Sequence, residues 1–271
     1  MPKPLVTDKL WAVIEPLLPK ESPKPRGGRP RVGDRAALTG ILFVLKTGIP
    51  WEMIPQEMGC GSGMTCWRRL KEWHHDGVWE RLQQALLDRL GQADYIDRLV
   101  TGVLGLGECA RCRGGEKTGP NPTDRGKQGS KRHLVVDKGG VPLAVRHTAA
   151  NMHDSKMLEE MVDAVEPIRR PRGRPRKRPE KLHADKAYDA EKCRKALRKR
   201  GIKSRIARKG KESSQRLGQH RWVVERTLSW LNRQRRLKVR YERRADIHQA
   251  FLGLGCALVC WSFVQRLCEE Y

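Results

Sequence analysis

Two carboxylates stand where their type and spacing permit chemistry. Asp185 closes the strand-like run Lys181-Leu-His-Ala-Asp185, inside the longer segment His183-Ala-Asp-Lys-Ala-Tyr-Asp189. A carboxylate at the carboxyl end of a strand faces the usual ligand crevice of an open α/β sheet. The same position also suits a turn former or a helix cap. Glu225 lies in Arg221-Trp-Val-Val-Glu-Arg-Thr-Leu-Ser-Trp230, an amphipathic helical stretch whose buried side takes Val224, Leu228 and Leu231. Arg221 and Glu225 are four apart and share a helix face. An ordinary ion pair accounts for that spacing as well as a site does.

The second set of chemical residues is basic. Arg68, Arg69 and Lys71 sit on a predicted helix that follows another helix and a tight turn. That pattern suits a helix-turn-helix DNA reader, and a small bundle with a solvated basic face suits it equally. Arg172-Gly-Arg-Pro-Arg-Lys-Arg178 resembles an AT-hook, whose flat Arg-Gly-Arg-Pro core lies in a minor groove; Arg172, Arg174 and Arg176 are its candidate contacts. A solvated loop making unspecific phosphate contacts is the alternative. Gly28-Arg-Pro-Arg31 is a shorter version of the same motif. Cys109 and Cys112 form a lone CxxC, half a zinc site with no second pair or close His to complete it.

These residues need elements to position them. Residues 1–92 read as helical: Thr7 caps a helix through Leu10, Trp11 and Ile14, an apolar stretch runs from Ala36 to Leu45, a helix starts at Ser62 or Thr65, and another begins at Val78. From residue 93 onward the pattern becomes strand and helix. A hairpin pairs His133–Asp137 with Val141–Thr148 across Gly139-Gly140, followed by a helix over 154–165. A strand at 181–185, a helix at 190–200, a strand at 203–207, a helix at 219–233 and a last helix from about Asp246 complete the order. A mixed sheet flanked by helices, preceded by a small all-α domain, follows.

Composition narrows the partners. The 271 residues carry 56 Lys+Arg against 31 Asp+Glu, a formal charge of +25. Such an excess implies a polyanion, with nucleic acid ahead of an anionic membrane surface. No run of about 18 apolar residues is present, and the segment Ala250 to Val264 reads as a buried helix, so no span is expected. The N-terminus lacks the apolar core of a signal peptide, and the scattered cysteines are unlike a secreted disulfide framework. A cytoplasmic, nucleoid-associated protein is the expectation.

Several blocks then resemble one family in its own order. His220-Arg-Trp-Val-Val-Glu-Arg-Thr-Leu-Ser-Trp-Leu-Asn-Arg-Gln-Arg-Arg-Leu237, His183-Ala-Asp-Lys-Ala-Tyr188, Gly114-Gly-Glu-Lys-Thr-Gly-Pro120, Gly129-Ser-Lys-Arg-His-Leu134 and Asn151-Met-His-Asp154 resemble the insertion-sequence-5 type DDE transposases. Leu10-Trp11, Gly28-Arg-Pro-Arg31 and Gly48-Ile-Pro-Trp51 resemble that family's N-terminal domain. The resemblance implies a ribonuclease H-like fold. It also implies an Asp, Asp, Glu triad that holds two Mg²⁺, with Mn²⁺ as a substitute, for cleavage and strand transfer of DNA. It further implies double-stranded DNA as partner, at terminal inverted repeats and target site, with a homodimer assembled on it. Asp185 matches the second Asp and Glu225 the Glu. Arg221 matches the Arg that precedes it, in a role of steadying phosphate or the Glu. The Tyr common three positions before that Arg is Gly218 here, and the Lys that some relatives carry seven residues after the Glu is Asn232; Arg233, Arg235 and Arg236 are candidates for its phosphate role.

One block departs from the family. Relatives carry a segment resembling Leu-Asp-Ser-Gly-Ser-Val-Arg-Ala-Val, with the first Asp on the first strand, nine residues before the Gly-Gly of the Gly114 block. That position is Gly105, in Leu104-Gly-Leu-Gly-Glu-Cys-Ala-Arg-Cys112, a poor strand by its glycines. These residues can be encoded CTT GGA CTC GGG GAG TGT GCG CGC TGT. Read one base later, that string gives Leu-Asp-Ser-Gly-Ser-Val-Arg-Ala, with Val able to follow. A local frameshift restored near Arg113 accounts for both the missing Asp and the stray CxxC. The chain is then expected to be impaired, and a non-catalytic DNA-binding remnant or repressor of related elements is the alternative. Asp94, Asp97 and Asp137 stand elsewhere, Asp97 eight residues too early.

Overall fold

A computed structural model describes residues 4–20, 30–96, 101–110, 114–208 and 214–269, with backbone alone at 101–110 and 214–221. Asp97, Cys112 and the first half of the Gly28–Arg31 segment lie outside the described residues, as do the side chains of Cys109 and Arg221.

Four helices open the chain. Helix α1 (Asp8–Ile14) starts where the Leu10 N–H donates to the Thr7 hydroxyl at 3.3 Å. Helix α2 (Asp34–Thr47) buries Leu38, Ile41, Leu42 and Leu45, the 3.6-residue stripe of a core helix. Each such side chain contributes about 1.5–3 kcal/mol by leaving water. It ends at Gly48, whose φ of 74° is the left-handed cap that glycine adopts without strain. Helix α3 (Gly63–His75) is capped by Ser62, and α4 (Val78–Gln92) follows the left-handed Gly77. The connection from α2 to α3 spans residues 48–62 with 3₁₀ turns at Trp51–Met53 and Gln56–Met58, longer than the tight turn the spacing predicts.

The sheet follows, from β1 (Thr101–Ala110), β2 (Gly119–Pro120), β3 (Gln128–Val136) and β4 (Pro142–Ala149). After α5 (Leu158–Asp163) come β5 (Lys181–Ala184), α6 (Glu191–Lys199) and β6 (Lys203–Ile206). Helices α7 (Ser214–Asn232), α8 (Arg235–Lys238) and α9 (Ala245–Glu269) close the chain. The main strands lie in the order β4-β3-β1-β5-β6. β3 pairs antiparallel with both β4 and β1, and β1, β5 and β6 run parallel. This is the ribonuclease H-like arrangement, with α7, α8 and α9 on one face and α5 and α6 on the other.

The helical N-terminal region packs directly on the last helix. α3 and α4 lie against α9, and Trp51 stacks on Phe251 with ring centroids 5.7 Å apart. Among the described residues α9 is the one helix long and apolar enough to cross a membrane, yet 83% of its most apolar stretch is buried inside the protein. It is apolar because most of that stretch is covered.

Candidate functional site

Strand register brings the two expected catalytic positions on the sheet together. Leu104 pairs with Ala184 in the parallel ladder, so Gly105 stands one step on, level with Asp185. In the antiparallel ladder Gly105 pairs with Leu134. Alternation along β3 sends Ser130, Arg132 and Leu134 to one face. That face is the one α7 and α8 cover, because Arg132 donates to Asn232 Oδ1 at 3.0 Å and to the Leu237 carbonyl at 3.2 Å. Position 105 therefore belongs to the α7 face, beside the strand end that carries Asp185.

The structure corrects one expectation here. Gly105 and Gly107 do not spoil the strand: β1 is ten residues long and central. A strand glycine loses about 0.5–1 kcal/mol against alanine. Ladder bonds to β3 along Val103–Ala110 and to β5 along Thr101–Leu104 outweigh that loss. Asp137 does not occupy the missing place. It lies beyond Val136, which pairs with Val103, and thus near the other end of the β5 ladder. There it is buried and accepts the Val141 N–H at 2.7 Å, closing the β3–β4 turn. Asp94 is exposed at the end of α4 with φ of 53°.

Asp185 is half-buried and accepts the Lys186 N–H at 2.5 Å, capping the 3₁₀ turn Lys186–Tyr188. The cap is thus formed by a residue that also follows directly on strand β5. Beneath it Tyr188 is buried, and burial first, then the Asp154 and Asp185 carboxylates, push its phenol well above the ordinary range. Asp154 itself pairs with Lys131 at 2.9 Å in the interior.

Glu225 is carried by α7. Val223, Val224, Leu228 and Leu231 are buried, leaving Glu225 exposed on the flank of the helix. The Thr227 hydroxyl donates to the Gly140 carbonyl at 2.8 Å and Arg226 Nη2 to the Gly139 carbonyl at 2.6 Å, which tie α7 to the β3–β4 turn. Arg226 also lies over the rings of Trp222 and Trp230, 4.2 and 5.0 Å from their centroids.

The basic candidates divide sharply. Arg68, Arg172, Arg174 and Arg233 are exposed, and Lys71 is half-buried over the Trp67 ring. Arg69 is only 3% exposed, ion-paired with Asp34 and donating to the Val32 carbonyl at 2.9 Å. Arg236 is 6% exposed, 2.6 Å from Glu242, and its Nη1 donates to the Gly48 and Ile49 carbonyls. These two are structural pins, held by partners inside the fold. Asn232 likewise holds Arg132 where the family pattern suggests phosphate. Residue patterns also missed Arg240, wholly buried, which donates to the Glu116 and Lys117 carbonyls and to Ser130 Oγ. Its Nε also donates to the Glu242 carbonyl at 3.1 Å, but the first three acceptors lie more than 100 residues away and no local signal marks them.

The family's pair of divalent ions would need carboxylates from three positions. Asp185 and Glu225 supply two carboxylates, position 105 supplies none, and among the described residues no group of three His, Cys, Asp or Glu side chains is placed to hold a metal. Hard cations need several oxygen ligands each. Among the described residues, the side chains do not fit a two-ion centre.

Comparison with known proteins agrees with the geometry. Residues 6–83 match the family described as "Putative transposase of IS4/5 family", and residues 108–260 match "Transposase DDE domain". Gly105 falls between the two matched stretches. The chain is 51% identical over 170 residues to the "Putative transposase for insertion sequence element IS402" of Burkholderia cepacia, covering 63% of this chain and 81% of that one. It is 60% identical over 101 residues to the "Insertion element IS402 uncharacterized 16.2 kDa protein" of the same organism, covering 36% and 67%. Among solved structures, the Mos1 transposase paired-end complex with left transposon end is similar over 88% of this chain and 82% of that one, at 9% identity and a TM-score of 0.26. The pre-cleavage Mos1 transpososome is similar over 88% and 81%, at 12% identity and 0.28. Those likenesses are loose, and the fold rests on the strand order. With residues 108–260, more than half of this chain, matched by a transposase domain, and with 51% identity to the transposase of an insertion sequence, the chain belongs to the DDE transposases of insertion sequences.

Proposed function

We propose that this chain recognises the terminal inverted repeats of its element, as a homodimer on double-stranded DNA at the nucleoid, and that its strand transfer is impaired. One observation carries the second half: the residue in register with Asp185 on the α7 face is glycine. Asp185 and Glu225, with Arg221 beside the latter, are the remaining catalytic candidates, and Mg²⁺ or Mn²⁺ the expected ions. We place the boundary between a helical DNA-reading part and the catalytic part at 92/93, where α4 ends; the separate family matches over 6–83 and 108–260 support it. Exposed Arg68, Arg172, Arg174 and Arg233 and half-buried Lys71 are the candidate DNA contacts that burial leaves open.

The test is cleavage of a labelled inverted-repeat duplex with Mg²⁺ or Mn²⁺. The natural chain is compared with Gly105→Asp and with a version carrying Leu-Asp-Ser-Gly-Ser-Val-Arg-Ala-Val at 104–112. The natural chain binds the repeats and cleaves little; the repaired chain cleaves and binds metal more tightly by calorimetry. Asp185→Asn or Glu225→Gln in the repaired chain abolishes both gains and leaves DNA binding intact. Robust cleavage by the natural chain overturns the impairment. Resequencing the gene checks its origin, because codons incompatible with the shifted reading remove the frameshift. The second reading, a DNA-binding remnant that represses related elements, rests on the same glycine and predicts repeat binding with no nicking at all.

A further inference from the structure

The basic segment after α5 is a built loop. Ile168 and Arg176 exchange both backbone hydrogen bonds, at 2.9 and 3.0 Å, so residues 168–176 form a finger closed at its root. That root is held by α4: the Arg169 N–H donates to Asp88 Oδ1 at 2.9 Å, and Gln84 Nε2 to the Pro167 carbonyl at 2.8 Å. Ile168 is buried there, and a Cβ on Gly91 would stand 2.2 Å from the Arg169 carbonyl, so glycine lets the finger seat on the helix.

The tip is different in kind. Arg172 and Arg174 are exposed on either side of Gly173, whose φ is +86° and around which no atom lies within 4 Å of where a Cβ would stand. Glycine is required there by the backbone, and the space over it is open. Pro171 and Pro175 flank the tip, lack N–H groups and restrict the chain, which lowers the entropy lost on docking. Arg176 is not part of this tip, since its guanidinium pairs with Glu180 at 3.2 Å and its backbone closes the root.

We infer that residues 168–176 are a prefolded finger for the minor groove of A·T-rich duplex DNA, with Arg172 and Arg174 as its two reading side chains and α4 as its brace. The inference rests on the reading of this protein as a DNA binder and names one DNA feature it selects. A minor groove about 6 Å wide admits backbone only where the central residue has no side chain. A·T tracts narrow it further and concentrate the negative potential that draws arginine in. Asp88 and Gln84 are positioning residues that fix the finger relative to the helical region.

The full-length chain is titrated with A·T-tract and G·C duplexes of equal length at several salt concentrations. The natural chain prefers the A·T duplex by roughly tenfold, the low end of what groove contacts discriminate. Arg172→Lys with Arg174→Lys keeps the charge and loses the preference, while the salt dependence holds. Arg176→Ala keeps the preference. Asp88→Ala with Gln84→Ala weakens it, with the circular dichroism spectrum unchanged. A minor-groove-binding diamidine competes on the A·T duplex. Equal binding of the two duplexes by the natural chain, or a preference that survives the double lysine change, overturns the finger and leaves DNA binding standing. Failure to bind either duplex at low salt overturns the DNA-binding reading with it.

Discussion

The arginines around α8 and those on the 168–176 finger do opposite work with the same side chain. Arg132, Arg236 and Arg240 are buried and meet several acceptors each: Asn232 and Leu237, nearby Glu242 with distant Gly48 and Ile49, and distant Glu116, Lys117 and Ser130. Arg172 and Arg174 lie exposed on a tip with open space around its glycine. A guanidinium offers five donors in a rigid fork, and the surroundings decide whether it braces a fold or stays available to phosphate and bases. Charge count therefore overstates the DNA-binding surface of this protein, and burial corrects it.

The largest expected effect separates the two groups directly. Arg236→Ala leaves the Glu242 carboxylate buried and unpaired, a loss of about 3–5 kcal/mol of folding stability. Chemical denaturation of the natural chain, Arg236→Ala, Glu242→Gln and the double variant measures the coupling. A loss under 1 kcal/mol would place Arg236 back among the exposed arginines.

Next in size is pH. Burial lowers the His147 imidazole to about 3 and His133 to about 4, against an ordinary value of 6.5, and the positive charge of Arg240 adds to the lowering at His147. Both are neutral in the fold and bind protons more readily when unfolded. Stability is thus full above pH 6.5 and falls as pH drops toward 4, by up to about 1.4 kcal/mol per pH unit for each histidine. Denaturation midpoints between pH 7 and 4.5 check the slope, which His147→Gln reduces. An unchanged slope would show that the arginine-rich interior admits the charged ring.

Arg69 and Arg68, adjacent in sequence, give a smaller and cleaner contrast. Arg69→Ala lowers stability by about 1–3 kcal/mol, since Asp34 and the Val32 carbonyl lose their donor. Arg68→Ala changes stability by no more than about 0.5 kcal/mol and weakens DNA binding with a shallower salt dependence. The reverse assignment, seen by pairing thermal unfolding with a salt titration, would break the comparison. Smallest of all, Arg172→Ala with Arg174→Ala leaves the unfolding midpoint within about 0.5 kcal/mol of the natural chain, as surface changes without partners do.

Residue types and short spacings alone determined a good deal of this protein. Thr7 and Ser62 announced two helix starts, Gly139-Gly140 the hairpin, and the apolar stripe of α7 the helix that carries Glu225, because caps, turns and periodicity act over three or four residues. Ordered blocks around Asp185 and Glu225 carry the resemblance to the family, and counting nine residues back from Gly114 puts Gly105 where relatives have their first Asp. Tertiary structure decided the rest. β1 is a central strand despite its glycines because β3 and β5 bond it from both sides. Position 105 meets Asp185 through a register between strands some eighty residues apart, which no local pattern records. Arg69, Arg236 and Arg240 are interior because their acceptors arrive from elsewhere in the chain, and a buried charge is tolerated only where such partners converge.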